Sequence, residues 1–328
     1  MFRITTAACL TALVSGLSAQ EFTDTFTVPS TNGALGWTVG TGAWKVSGGR
    51  LQTDGARTWS YITKDGYKPL NCVIDLEAFY TPSGVQFAGL TARYASGSNT
   101  LMCKIQENTT NNGNNFDRSF VYERGGAGSA GTLYADLTTK VSTSAIIRMI
   151  VCGDQVWMKH DFDKDGTFDQ VIGPQTVLKV KSAGGVGANI YAASQIDNWE
   201  YHSAVLKPQT SAVPKIGTTF KLDLVTQATA VTPWRMAMSG GNAGFSLGGA
   251  RRIPLTLDAI FDVSLAASAA LGLAGVTDSS GVAAPGLKIP NFAGLVGVTL
   301  FAAAITVDGT RPMSIGDISN EIAIKFTN

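Results

Sequence analysis

The chain has 328 residues, which suits two domains of ordinary size. Charged residues make up only 15% and Gly is abundant at 37 residues, while 45% hydrophobic residues supply a core, so the composition excludes a disordered chain. A formal charge of +1 provides no basic field for a phosphate backbone, which argues against nucleic acid as a partner.

At the N-terminus, Met1-Phe2-Arg3 carries one positive charge, Ala7 to Leu17 is apolar, and Leu17-Ser18-Ala19 ends in small residues. This is the pattern of a secretory signal peptide over residues 1–19, and it predicts a secreted or cell-surface protein. The apolar run is short for a bilayer span. Cys9 falls inside that segment. Cys72, Cys103 and Cys152 remain, an odd number for an oxidising compartment. One disulfide and one buried thiol is the simplest account, with Cys103–Cys152 as the favoured pair; no C-x-x-C spacing points to a thiolate metal site.

Residues 20–204 read as short strands separated by turn signals. Phe22, Phe26, Trp37, Trp44, Val46 and Leu51 are apolar markers between Gly-rich turns. Strands are expected over Cys72 to Tyr80, Val85 to Tyr94, Thr100 to Gln106, Ser119 to Glu123 and Thr132 to Leu137, with a polar Asn/Gly loop over 107–116. From Ile146 to Ile172 the pattern is strand, Gly153-Asp154 turn, strand, acidic loop, short strand. No window shows a helical period with caps. Many short strands at regular spacing predict an all-β sandwich or barrel.

Four stretches carry a resemblance: Trp37 to Leu51 (WTVGTGAWKVSGGRL), Gly89 to Tyr94 (GLTARY), Gly184 to Asn189 (GGVGAN) and Asp197 to Tyr201 (DNWEY). In this order they resemble the concanavalin A-like lectin/glucanase sandwich, in its laminin-G-like and bacterial carbohydrate-active forms. The resemblance implies a jelly-roll β-sandwich over residues 20–204 whose first and last strands pair, bringing Phe22 to Phe26 beside Trp199 to Tyr201. It also implies a polysaccharide or glycan as partner. A structural calcium held by Glu21 or Asp24, the Gly49 carbonyl and Asp197 is a further implication.

Glucanases of this group place acids in an E-x-D-x-x-E strand, because nucleophile and general acid must face one bond from one side. That triplet is absent here. Asp75 and Glu77 share a strand face, but no third acid follows before Tyr94, and a solvent-facing pair is the better reading. His160 and His202 sit in no catalytic motif and read as structural. The expected function is therefore noncatalytic binding. Two alternatives stay open: a glycan-cleaving enzyme with a carboxylate pair drawn from Asp75, Glu77, Glu107, Asp117 and Glu123, or a structural envelope or adhesion protein. Sugars bind through rings stacked on their apolar faces and planar polar groups on their hydroxyls. The candidates are Tyr80, Phe87, Arg93, Tyr94, Tyr122, Tyr134 and Trp157, with Asn112, Asn114 and Asn115 from the polar loop. For any one ring, packing between the sheets competes with ligand contact.

The acidic loop D-F-D-K-D-G-T-F-D supplies a metal-like signature. Asp161, Asp163, Asp165, Gly166 and Asp169 match positions 1, 3, 5, 6 and 9 of an EF-hand-type calcium loop, where carboxylate oxygens converge on a hard cation. Ile172 replaces the bidentate acid of position 12, so any calcium site is weak. A hairpin whose acids merely solvate the turn is the competing reading.

Residues 205–214 read as a Pro/Ser/Thr linker and 215–328 as a second, smaller β-sandwich. Phe220 to Leu224 and Ile322 to Phe326 alternate cleanly and are expected to pair in one sheet. Pro254 to Leu257 and Ile260 to Leu265 are expected as strands. Leu257 to Val276 contains Asp258 and Asp262, and Phe292 to Val307 is short, so neither is expected to span a membrane. Ile289 to Phe301 with Ser319 to Ile324 resembles a small C-terminal β-sandwich appended to secreted proteins of planctomycete-type bacteria, from which no function follows.

Overall fold

The computed structural model describes residues 22–328 except 32, 55–57, 82–85, 108–115, 127–130, 166–167, 210–211, 229 and 249–250. The expected signal peptide, Glu21, Asn112, Asn114, Asn115 and Gly166 lie outside the described residues. The protein is all-β, with several antiparallel sheets and little helix.

The first half contains β1 Phe22–Asp24, β2 Trp37–Thr41, β3 Trp44–Ser47, β4 Arg50–Thr53, β5 Trp59–Lys64, β6 Cys72–Phe79, β7 Phe87–Ser96 and β8 Asn99–Gln106. It continues with β9 Phe116–Gly125, β10 Thr132–Ser142, β11 Ser144–Cys152, β12 Gln155–Asp161, β13 Gln170–Thr176, β14 Gly185–Tyr191 and β15 Gln195–His202. One sheet runs β13-β12-β11-β6-β15-β4-β3, with β1 also on β15; the other runs β10-β9-β8-β7-β14-β5-β2. Phe22 pairs with Tyr201, so the first and last strands are neighbours.

Period-2 alternation sends one set of side chains from each sheet into a shared core. Ile74, Leu76, Ile147 and Met149 from the eight-stranded sheet meet Leu90, Leu101, Ile105 and Val121 from the seven-stranded sheet. Close strand approach depends on Gly187, where a Cβ would lie 2.0 Å from the Ile62 carbonyl oxygen. The Gly153-Asp154 turn joins β11 to β12 with Gly153 at φ +59°, a conformation open to glycine.

The second half contains β16 Val205–Pro208, β17 Thr219–Val225, β18 Pro233–Ser239, β19 Phe245–Gly248, β20 Arg251–Ile253, α1 Ala259–Ala266, β21 Ala274–Val276, β22 Val282–Ala283, β23 Gly286–Lys288, β24 Thr299–Val307, β25 Ile315–Ile318 and β26 Ile322–Lys325. A four-stranded sheet around β17 packs on a five-stranded sheet around β18 and β24, burying Phe220, Leu222, Trp234, Met236, Ala302 and Ile324.

Four expectations need correcting. Ile260 to Leu265 is helical, because the Asp258 side chain accepts a hydrogen bond from the Phe261 N–H at 2.8 Å and caps α1. Pro254 to Leu257 is likewise not a strand; β20 ends at Ile253. β17 and β26 belong to different sheets, β26 pairing with β24, so their shared alternation reflects two half-buried strands packed on one core. Finally, Cys72, Cys103 and Cys152 are all free thiols, and the expected Cys103–Cys152 disulfide is absent. The two lie on different sheets, Cys103 on β8 and Cys152 at the end of β11. Burial pushes the Cys72 thiol up to about 12.

The second half docks on the outer face of the eight-stranded sheet. Val73 and Ile150 meet Val205 in a small apolar cluster with Trp157 and Val225 beside it. Next to it, Arg148 donates to Asp75 through Nε at 2.8 Å and a terminal nitrogen at 2.6 Å, and reaches Glu321 at 2.9 Å. No helix among the described residues is long and apolar enough to cross a membrane.

Candidate functional site

The outer face of the seven-stranded sheet carries rings and cations in alternation. On β5, Trp59 and Tyr61 are two apart and project to the same side. β14 and β7 place Tyr191 beside Phe87 in register, and β8 and β9 place Lys104 opposite Phe120. Trp59 lies 4.6 Å from Phe87 and 6.4 Å from Tyr122, Tyr61 lies tilted 5.4 Å from Tyr94, and Phe87 stacks 5.5 Å from Tyr191. Gly89 faces Lys104 across the ladder, where a Cβ would fall 2.6 Å from the lysine's own Cβ; the missing side chain makes room for the lysine stem.

The Lys104 ammonium sits 4.2 Å from the Phe87 centroid and 4.7 Å from those of Trp59 and Phe120. It donates to Gln106 Oε1 at 2.8 Å. Burial drives its ionisation down to about 7, with Asp136 opposing that shift. Arg118 stands over Phe120 and pairs with Asp136, while Arg124 reaches toward Trp59. Trp59, Tyr94, Tyr122 and Tyr191 are half-buried, so their ring surfaces are partly open to solvent, whereas Tyr61, Phe87 and Phe120 are buried beneath them. Such a face offers apolar rings to C–H surfaces and planar or cationic donors to hydroxyl and carboxylate oxygens.

The structure divides the sequence candidates. Phe87, Tyr94 and Tyr122 belong to this face. Tyr80 does not: it points between the sheets, 8% exposed, and its hydroxyl donates to Glu107 at 2.9 Å. Burial and that carboxylate push the Tyr80 hydroxyl up to about 12. Arg93 is a buried clamp. Its backbone is left-handed at φ +51°, and its guanidinium donates to the carbonyls of Leu70, Val180 and Gly153. Tyr134 packs against the core and donates to Glu123. Trp157 lies on the other sheet, where it lines a cavity with Ile150, Lys159, Val171 and Lys207 against the second half.

Of the carboxylates considered for catalysis, Asp75, Glu77, Glu107 and Glu123 are engaged by structural partners and Asp117 is buried. Glu123 is fully buried; burial raises its ionisation, but the Tyr134 hydroxyl and the N–H groups of Val180, Lys179 and Leu178 outweigh this and hold it low. Glu77 binds Lys164 and accepts from Asn198 Nδ2 at 2.7 Å. Asp75 and Glu77 do share a face, as their spacing required, but it fronts an inter-half cavity of about 210 Å³ with Arg148, Glu200, Asn242 and Glu321 rather than open solvent. His160 is buried beside Ser119 and Phe162, with burial pulling it down to about 4. His202 is buried 3.7 Å from Glu200.

In the acidic loop, Asp161, Asp163 and Asp169 bring carboxylate oxygens within 4.8 Å of one another, while Asp165 is exposed and outside that group. The loop is shaped by Asp161 accepting from the Lys164 N–H at 2.6 Å and Asp169 accepting from the Phe162 N–H at 2.8 Å. Three converging carboxylates fit a hard cation such as calcium, at fewer ligands than the six to eight it takes. The calcium site implied by resemblance fares differently: Asp24 accepts from Trp37 Nε1 and from the Phe26 N–H, both at 2.8 Å.

Sequence reasoning missed Trp59, Tyr61, Lys104, Phe120 and Tyr191. The signal was present in β5, where Trp59-Ser60-Tyr61-Ile62-Thr63 alternates, with Ile62 in the core.

The fold and this face define an all-β sandwich protein. No family model matches the chain, and no curated protein matches it. Similar solved structures include the carbohydrate-binding module CBM66 from Bacillus subtilis, at 16% identity and TM-score 0.38, covering 50% of this chain and 93% of that one. Lectin II from Ulex europaeus is similar at 13% identity and TM-score 0.41, covering 55% and 97%. The Ca²⁺/Man3GlcNAc-bound exoplasmic/lumenal domain of VIP36 is similar at 11% identity and TM-score 0.40, covering 56% and 87%.

Proposed function

We propose that this is an exported, noncatalytic carbohydrate-binding protein that holds a polysaccharide on the outer face of its seven-stranded sheet. The observation that carries the reading is the band of half-buried rings, Trp59, Tyr94, Tyr122 and Tyr191, interleaved with Lys104, Arg118 and Arg124. Stacking on sugar C–H surfaces supplies affinity, and the more open Arg118 and Arg124 supply orientation. Export rests on the N-terminal charge, apolar run and small residues. Calcium at Asp161, Asp163 and Asp169 would brace the β12–β13 loop, away from the ring face, and would act on stability rather than as a sugar ligand.

The test is retention of the purified chain on a panel of insoluble polysaccharides, with soluble fragments of the retained polymer as competitors. Retention that competitor sugar reverses supports the reading. Release of new reducing ends from the bound polymer would replace it with the enzymatic alternative.

A further inference from the structure

The five-stranded sheet of the second half has two faces, and its outer one is incompletely filled. Ala237 on β18 and Ala303 on β24 are register partners, so two of the smallest side chains lie opposite each other in the middle of that face. α1 and the β19–β20 hairpin roof it, with Phe245 and Phe261 meeting edge to face at 5.5 Å. Between alanine floor and aromatic roof is a cavity of about 240 Å³, whose lining is apolar except for Arg235. Arg235 pairs in register with Ile305, two residues along each strand from the alanines, and so stands on the same face at the cavity's rim. It is exposed, and its guanidinium makes no hydrogen bond or ion pair with any described residue. Leu257 and Met313, at 58% and 68% exposed, complete an apolar rim.

We propose that this cavity binds the alkyl chain of a medium-length carboxylate, with the head group on Arg235. An apolar cavity of about 150 Å³ accepts benzene, and one of this size holds roughly eight methylene-sized groups. A chain of about ten carbons then leaves its carboxylate at the rim, where a planar guanidinium receives both oxygens. The charge of the rim selects an anion over an alcohol or a quaternary amine. This site lies on the second half and is independent of the ring face.

The experiment is calorimetric titration of the full chain, purified without detergent, with decanoate, 1-decanol and decyltrimethylammonium. Decanoate is expected to bind once per chain. Arg235→Ala should weaken decanoate about tenfold while leaving decanol unchanged. Ala303→Leu fills the floor and should abolish uptake without lowering the melting temperature; Ala237→Leu serves the same purpose if that variant misfolds. Absence of decanoate binding, or binding unchanged in both leucine variants, overturns the proposal. A concentration-dependent dimer lost in Ala303→Leu, with no decanoate uptake, would assign the cavity to self-association instead.

Discussion

Asp75 and Glu200 are register partners across β6 and β15, yet their surroundings pull them apart. Asp75 receives both prongs of Arg148, which is itself anchored to Glu321 of the second half. Glu200 has no arginine clamp among the described residues, only His202 at 3.7 Å, and burial first, with the Asp75 carboxylate second, pushes it up to about 7. The contact between the halves therefore contains an acid that is protonated in mildly acidic conditions.

Stability should consequently depend on pH in a defined direction. Glu200 binds its proton more tightly folded than unfolded, so its contribution is fully present below about 4.5 and is lost as pH rises through about 7. Glu200→Gln should remove that loss and stabilise the protein by about 2 kcal/mol at pH 8, with little effect at pH 4.5. Urea denaturation of both proteins at the two pH values measures this directly. An equal effect at both would show that Glu200 is not the responsible group.

Lys104 should have the opposite sign. Its ionisation falls from 10.5 to about 7 on burial, so the unfolded chain holds the extra proton between those values. Its contribution is complete above about 10.5 and is lost as pH falls through about 7. Lys104→Met should raise stability at pH 6 more than at pH 9. Tryptophan fluorescence of the native protein should also titrate near pH 7, because the ammonium lies over Trp59, and that transition should vanish in the variant.

Much of the β-structure was legible because half-buried strands write their alternation into the sequence, as β17 and β26 do at Phe220 to Leu224 and Ile322 to Lys325. In strands covered on both faces the strand itself was legible but its facing was not. In β6, Val73 packs under the second half while Ile74 packs in the sandwich, so period-2 contrast disappears over Cys72 to Leu76. The same effect misplaced Trp157: its ring is aromatic and strand-borne like the others, but its sheet face is the docking face. The ring band itself was half readable, since Phe87, Tyr94 and Tyr122 were identified and Trp59, Tyr191 and Lys104 were not. Which rings share a face depends on sheet order, and β5 and β14 meet only through long-range pairing. Helix α1 was masked by its β-branched, apolar content, although Asp258 three residues before Phe261 was its visible start.

Arg93 should behave as a structural residue. Replacing it with Ala leaves the carbonyls of Leu70, Val180 and Gly153 without their donor in a buried setting, at a cost of about 3 kcal/mol. The expected result is a lower denaturation midpoint with polysaccharide affinity retained by the folded fraction.

Calcium should stabilise the chain at millimolar concentration, the range of extracellular sites with few ligands. The melting temperature is expected to rise with added calcium and to return to its starting value with chelator. Asp163→Asn should remove the response, whereas Asp165→Asn, outside the converging group, should leave it intact.

The most direct measurement of the central claim is affinity electrophoresis in gels containing the retained polysaccharide, comparing Trp59→Ala, Tyr122→Ala and Trp157→Ala with the unaltered chain. Loss of one stacking ring should weaken binding about tenfold in the first two and leave the third unchanged, because Trp157 faces the second half. Retardation undiminished in both Trp59→Ala and Tyr122→Ala, or lost in Trp157→Ala instead, would contradict the assignment of the outer ring face as the binding surface.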